Sequence, residues 1–97
     1  MILDFGDQTT DEIFNGEDTK AARRIPKAIW TVASRKLDML NAAHDLKDLQ
    51  VPPGNRLEKL KGNFALFHSI RINDQFRLIF QWTDGNAKQV QITDYHS

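Results

Sequence analysis

From Phe64 onward the chain reads as strands separated by turns, which excludes an all-helical fold. Phe64, Leu66, His68, Ile70 and Ile72 recur at every second position, with Phe67, Ser69, Arg71 and Asn73 between them. That period sends successive side chains to opposite faces of a sheet. Asn73-Asp74 supplies turn chemistry. Phe76, Leu78, Phe80 and Trp82 then alternate with Gln75, Arg77, Ile79 and Gln81, so the two runs predict an antiparallel hairpin. Thr83-Asp84-Gly85-Asn86 predicts a second turn, after which Val90 and Ile92 alternate with Gln89, Gln91, Thr93 and Tyr95. Helices are expected to cover the Leu78, Phe80, Val90 and Ile92 face, leaving Arg71, Arg77 and Tyr95 on a polar open side.

The first half carries helical spacing instead. Ile2, Leu3 and Phe5 suit a short first strand, and Thr9-Thr10-Asp11-Glu12 supplies a helix N-cap followed by acids, which complement a helix N-terminus. This helix is expected to stop near Asn15-Gly16. Pro26 sits where a first-turn proline is tolerated, and Ile25, Ile29, Val32, Ala33, Leu37 and Leu40 mark an amphipathic helix to about Ala43. Arg35, Lys36 and Asp38 fall mostly off its stripe. Trp30 reads as a packing residue, and His44 as a helix C-terminal residue favoured by the dipole. Pro52-Pro53-Gly54-Asn55 ends the helical half and leads rigidly to the sheet. The expected fold is α+β, with two N-terminal helices on a small curved, mainly antiparallel sheet in the order β-α-α-β-β-β.

A length of 97 residues with 40% hydrophobic content fits one domain spanning 1–97, with a modest core. Neither a secretion signal nor a membrane span is read in the chain, so a cytoplasmic location is expected. With no cysteine, thiolate metal sites and cysteine nucleophiles are excluded. His44, His68 and His96 are too scattered for a metal site. Formal net charge is zero, yet residues 1–18 hold six acids and no base, leaving thirteen bases against seven acids in the remainder. A body near +6 can attract phosphate backbones, with the acidic first segment screening part of it. A solvated surface without partner meaning reads equally well from charge alone.

The segments PPGNRLEKLKG, SIRINDQFRLIFQWTDG and DYH occur in this order, and jointly they resemble the HigB-type toxins of the RelE/ParE superfamily of toxin–antitoxin modules. The resemblance is close in the C-terminal half and looser before it. It implies a RelE-like fold, ribosome-dependent cleavage of messenger RNA in the A site, no cofactor, and a helix-turn-helix antitoxin as partner, through which alone operator DNA is bound. A gyrase-directed toxin of the ParE type, or a non-catalytic co-repressor, are the alternatives.

An RNase without metal or cysteine needs a base for the ribose 2′-hydroxyl, cations for the phosphorane and a proton for the leaving 5′-oxygen. Arg77, mid-strand and opposite in parity to Phe76 and Leu78, can clamp the scissile phosphate bidentately, or, from the residues alone, it reads as one side of a surface salt bridge. Lys61, Lys59 and Arg56 can continue a phosphate-binding rim or equally be solvated charge, and Arg71 and Asp94 complete the expected contacts to RNA or ribosome. Tyr95 falls on the Arg77 side and can stack on a base or orient the 2′-hydroxyl, while His96 suits proton transfer near neutral pH. The HigB pattern often carries a histidine where this chain has Glu58. Either Glu58 is the general base and His96 the acid, or Glu58 is a surface residue and His96 with Tyr95 moves the protons. His68 shares a face with Leu66 and Ile70 and reads as a core histidine.

Overall fold

The computed structural model describes residues 1–94. Helices α1 (Gln8–Phe14) and α2 (Trp30–Ala42) precede the strands β1 (Glu58–Lys59), β2 (Phe67–Arg71), β3 (Phe76–Thr83) and β4 (Asn86–Asp94). The strands form one antiparallel sheet in the order β1-β2-β3-β4. Ala33, Leu37 and Leu40 of α2 pack with Ile13, Ile70, Leu78, Phe80, Val90 and Ile92 into one core, so the helices cover the expected face. The α+β architecture is therefore the one expected, with several local differences.

The first segment does not form a full strand. Ile2 and Phe5 make isolated parallel bridges to Ala87 and Val90. The reason is a bulge in β4: Gln89 has φ 54, and the ladder with β3 shifts between Ile79 and Gln81. Ala87 and Val90, three positions apart, are thereby both buried, and the Asp4 carboxylate accepts the Gln89 N–H at 2.6 Å. An extra residue in one strand bends it and breaks a regular ladder. Gly6 runs so close to β4 that a Cβ would lie 3.1 Å from the Gln89 carbonyl oxygen.

The N-cap of α1 is Asp7, whose carboxylate accepts the Thr10 N–H at 2.8 Å. Thr9 and Thr10 lie inside the helix, buried, because their hydroxyls are used elsewhere. Thr9 donates to the Ala21 carbonyl and Thr10 accepts the Ile92 N–H, which fastens α1 to β4. The helix does end at Asn15, followed by Gly16 at φ 74.

Helix α2 starts later than its apolar stripe. Ile25 is extended, with φ −101 and ψ 131, as the residue before a proline is driven to be. A single 3-10 turn, Lys27–Ile29, intervenes before Trp30. Trp30 is half-buried, donates its indole N–H to the Ile25 carbonyl at 2.8 Å and lies beneath the Lys27 ammonium, a packing role as expected. His44 lies one residue past the Ala43 C-cap rather than in the helix, and its N–H is held by Asp48. Of the acidic segment, Asp18 pairs with Arg23 at 2.8 Å and Lys27 at 2.7 Å, so its charge is answered locally.

Strand β2 begins at Phe67, not Phe64. Gly62 at φ 64 and the 3-10 turn Gly62–Phe64 divert the chain, leaving Phe64 48% and Leu66 75% exposed. The β3–β4 turn is the expected two-residue loop, with Asp84 at φ 53 and Gly85 at φ 78. Both central residues are left-handed, which matches the twist of a hairpin and suits Asp-Gly. A Cβ on Gly85 would also meet the His44 carbonyl oxygen at 3.3 Å. Gly85→Ala is expected to lower stability by about 1–2 kcal/mol, the usual left-handed penalty for an L-residue. Urea unfolding checks this, and an unchanged midpoint would contradict it.

Candidate active site

Cross-strand register assigns the faces. Glu58 is opposite Ser69, Ser69 opposite Ile79, and Arg71 opposite Arg77, and residues directly opposite share a face. Glu58, Ser69, Arg71, Ile79 and Arg77 therefore stand on the side away from the helices. This side is not the open one expected: Ser69 is 0%, Ile79 4% and Arg77 6% exposed. The turn Pro53–Asn55 and the following Arg56 pack against it, and the Arg77 guanidinium donates through Nη2 to the Arg56 carbonyl at 2.8 Å. Arg77 Nη2 also lies 3.7 Å from Glu58 Oε1, an ion pair too long for a hydrogen bond.

Like charges directly opposite on a sheet repel, yet Arg71 and Arg77 are a register pair. Each has a carboxylate beside it, Asp74 for Arg71 and Glu58 for Arg77. Glu58 is 48% exposed while the Arg77 side chain is 7% exposed. The arrangement is a desolvated cation with a solvent-accessible carboxylate at its mouth. A guanidinium held in this way can stabilise negative charge that develops at the mouth, and the exposed carboxylate can take a proton.

The other expected contacts divide. Arg56 reaches Arg77 through its main chain, with its own residue exposed. Lys59 is opposite His68, on the sheet face away from Arg77, because β1 alternates like any strand. Lys61 is exposed and precedes the Gly62–Phe64 turn. Asp94 is exposed and accepts from Gln75 at 2.9 Å. Tyr95 and His96 lie outside the described residues.

His68 faces the core side, as expected. Its ring stacks on Phe80 with centroids 6.1 Å apart. Burial, followed by the charge of Lys59, holds its pKa below the ordinary 6.5. The unfolded chain thus binds more protons between the lowered value and 6.5, so this group's stability contribution is complete above 6.5 and lost as pH falls through that window. Denaturant midpoints measured across this range should fall in the native protein and fall less in His68→Gln. Equal slopes would contradict the assignment.

Two residues beside the site carried no role in the sequence reading. Asn55, 0% exposed, accepts the Lys36 ammonium through Oδ1 and donates to the Leu49 carbonyl at 3.1 Å. Lys36 falls mostly off the apolar stripe of α2, which gives no sign of this contact. The available signal was the Pro-Pro-Gly-Asn run itself, a turn whose carbonyls need a local side-chain donor. Among the described residues, no group of three His, Asp or Glu is placed to hold a metal, and no helix is long and apolar enough to cross a membrane.

Residues 3–96 match the HigB-like toxin family, described as the RelE-like toxin of the type II toxin–antitoxin system HigB. Toxin HigB-1 of Vibrio cholerae serotype O1 is 48% identical over 87 residues, covering 90% of each chain. An uncharacterised protein of Haemophilus influenzae is 38% identical over 74 residues, covering 76% of this chain and 72% of its own. In fold, the chain is similar to the YoeB–YefM complex from Staphylococcus aureus, with a TM-score of 0.60, 20% identity, and coverage of 100% of this chain and 97% of that one. The motif order that resembled HigB-type toxins is thus borne out along nearly the whole sequence, and the chain belongs to the HigB-like family of RelE-like toxins from type II toxin–antitoxin systems.

Proposed function

We propose that this toxin inhibits translation as a ribosome-dependent endoribonuclease that cuts messenger RNA in the A site. The observation that carries the reading is the buried Arg77 guanidinium, anchored on the Arg56 carbonyl with Glu58 beside it. In this reaction the ribose 2′-oxygen attacks phosphorus and the bond to the 5′-oxygen breaks, leaving a 2′,3′-cyclic phosphate and a 5′-hydroxyl. Arg77 stabilises the phosphorane charge, which builds only in the transition state. Glu58 accepts the 2′-hydroxyl proton and His96 supplies the proton to the 5′-oxygen, with Tyr95 orienting the nucleotide. Arg56, Lys61 and Arg71 bind the backbone of message or ribosomal RNA, whose affinity should fall steeply with salt. An exposed carboxylate at the mouth of a buried guanidinium does not by itself hold a flexible RNA in line, and the decoding site supplies the missing walls.

The partner of this reading is a helix-turn-helix antitoxin that neutralises the toxin, and operator DNA is bound only through that complex. The toxin–antitoxin nature of the family and of the YoeB–YefM neighbour supports the antitoxin. The site of action is the cytoplasm, where ribosomes translate.

Glu58→Gln is expected to slow single-turnover cleavage by about 10²-fold, the lower end for a general base, and to remove the acid limb of the pH–rate profile. Single-turnover assays on programmed ribosomes check it. A full rate with the acid limb intact would reassign the base to the Tyr95-His96 end. Cleavage of naked RNA at the same codons would count against ribosome dependence.

A further inference from the structure

Resting on the nuclease reading, we propose that Asn55 is a positioning residue for Arg77, acting through the Arg56 carbonyl and tied to α2 by Lys36. The Asn55 side chain joins three stretches of chain. Its Oδ1 accepts from Lys36 Nζ on α2, and its Nδ2 donates to the carbonyls of Leu49 at 3.1 Å and Val51 at 3.4 Å while touching Met39 Sδ at 3.1 Å. Burial, then the charges of Arg35 and Arg71, hold the Lys36 pKa below the lysine range. Lys36 is half-buried, and its ammonium is directed onto the Asn55 amide oxygen.

The next residue shows what the anchor does. Arg56 adopts φ 47 and ψ 55, a left-handed conformation unfavourable for any side-chain-bearing residue. Such strain persists only where its surroundings over-determine it. Asn55 fixes the chain on one side of Arg56, and the pairing of Glu58 with Ser69 fixes it on the other. Held so, the Arg56 carbonyl accepts Arg77 Nη2 at 2.8 Å. Relaxing Arg56 toward extended backbone would swing this carbonyl away from the guanidinium Nη2.

Asn55→Ala is expected to lower the single-turnover rate on programmed ribosomes by roughly 30-fold, an ordinary loss for a misplaced catalytic group, with half-saturation nearly unchanged. In an Arg77→Ala background the same change should cost nothing further, since a residue acting through Arg77 has no effect without it. The Arg77 Nε–H resonance, assigned by its disappearance in Arg77→Lys, should shift or broaden in Asn55→Ala. A lower melting temperature with an unchanged rate and resonance in the folded protein would overturn the proposal, as would an equal loss in the Arg77→Ala background. Should Asn55→Ala not fold, Lys36→Met decides by the same two readouts: a several-fold rate loss with a shifted resonance supports it, and no change in either overturns it. If the native toxin cuts no RNA, the nuclease reading fails, and the resonance alone still decides whether Asn55 holds Arg77.

Discussion

Arg77→Ala is expected to reduce cleavage of ribosome-bound message by about 10³-fold, the scale seen when a donor aimed at developing negative charge is removed. The prediction follows from where the guanidinium stands. It is almost fully withdrawn from water, fixed by the Arg56 carbonyl, and beside Glu58, so its field acts on a bound phosphate with little screening. Arg77→Lys should recover little of the loss, because an ammonium keeps the charge but not the planar fork. Both changes free the Arg56 carbonyl from one donor, costing about 1–3 kcal/mol of stability. Rates are therefore to be compared at a temperature where circular dichroism shows each variant folded. A folded Arg77→Ala protein that cuts at the native rate would remove the basis of the site.

The second large effect belongs to the core. Phe80 is 0% exposed, with the His68 ring stacked at 6.1 Å and Trp82 edge-on at 6.3 Å. Phe80→Ala should cost about 3–5 kcal/mol, the transfer free energy of the ring plus the cavity it leaves. For a domain of this size that is a large share of total stability. It should also relieve part of the burial that depresses the His68 pKa. Denaturant titration measures the first effect and proton-resonance titration of His68 the second. A loss below about 1 kcal/mol would mean that the helices collapse onto the sheet far more freely than close packing allows.

What the sequence made legible was local. The Asp84-Gly85 turn, the stop at Asn15-Gly16 and the alternation of Phe76 to Trp82 each depend on neighbouring residues, and each stands where expected. The parity that set Arg77 apart from Leu78 and Phe80 also holds, whereas the placing of Glu58 on the Arg77 face emerged only from the register of β1. Burial of that face was not legible. Arg77 meets Arg56 across 21 residues, and Asn55 meets Lys36 across 19, contacts that no periodicity reports. Strand β1 has two residues, too few to carry a period, so the side on which Lys59 falls emerged only from its register with His68. Phe64 and Leu66 continued the period-two pattern backward past the true strand, because alternation alone does not register Gly62's left-handed turn. The bulge at Gln89 broke up the first strand for a similar reason, the Asp4 carboxylate that holds it lying 85 residues away.

The measurement that tests the central claim most directly is mapping of messenger RNA 3′-ends in a purified translation system, with native toxin and Arg77→Ala, each with and without ribosomes. Cuts within A-site codons that require both ribosomes and Arg77 are the predicted result. Intact message with folded native toxin, or the same cuts made by Arg77→Ala, would contradict it.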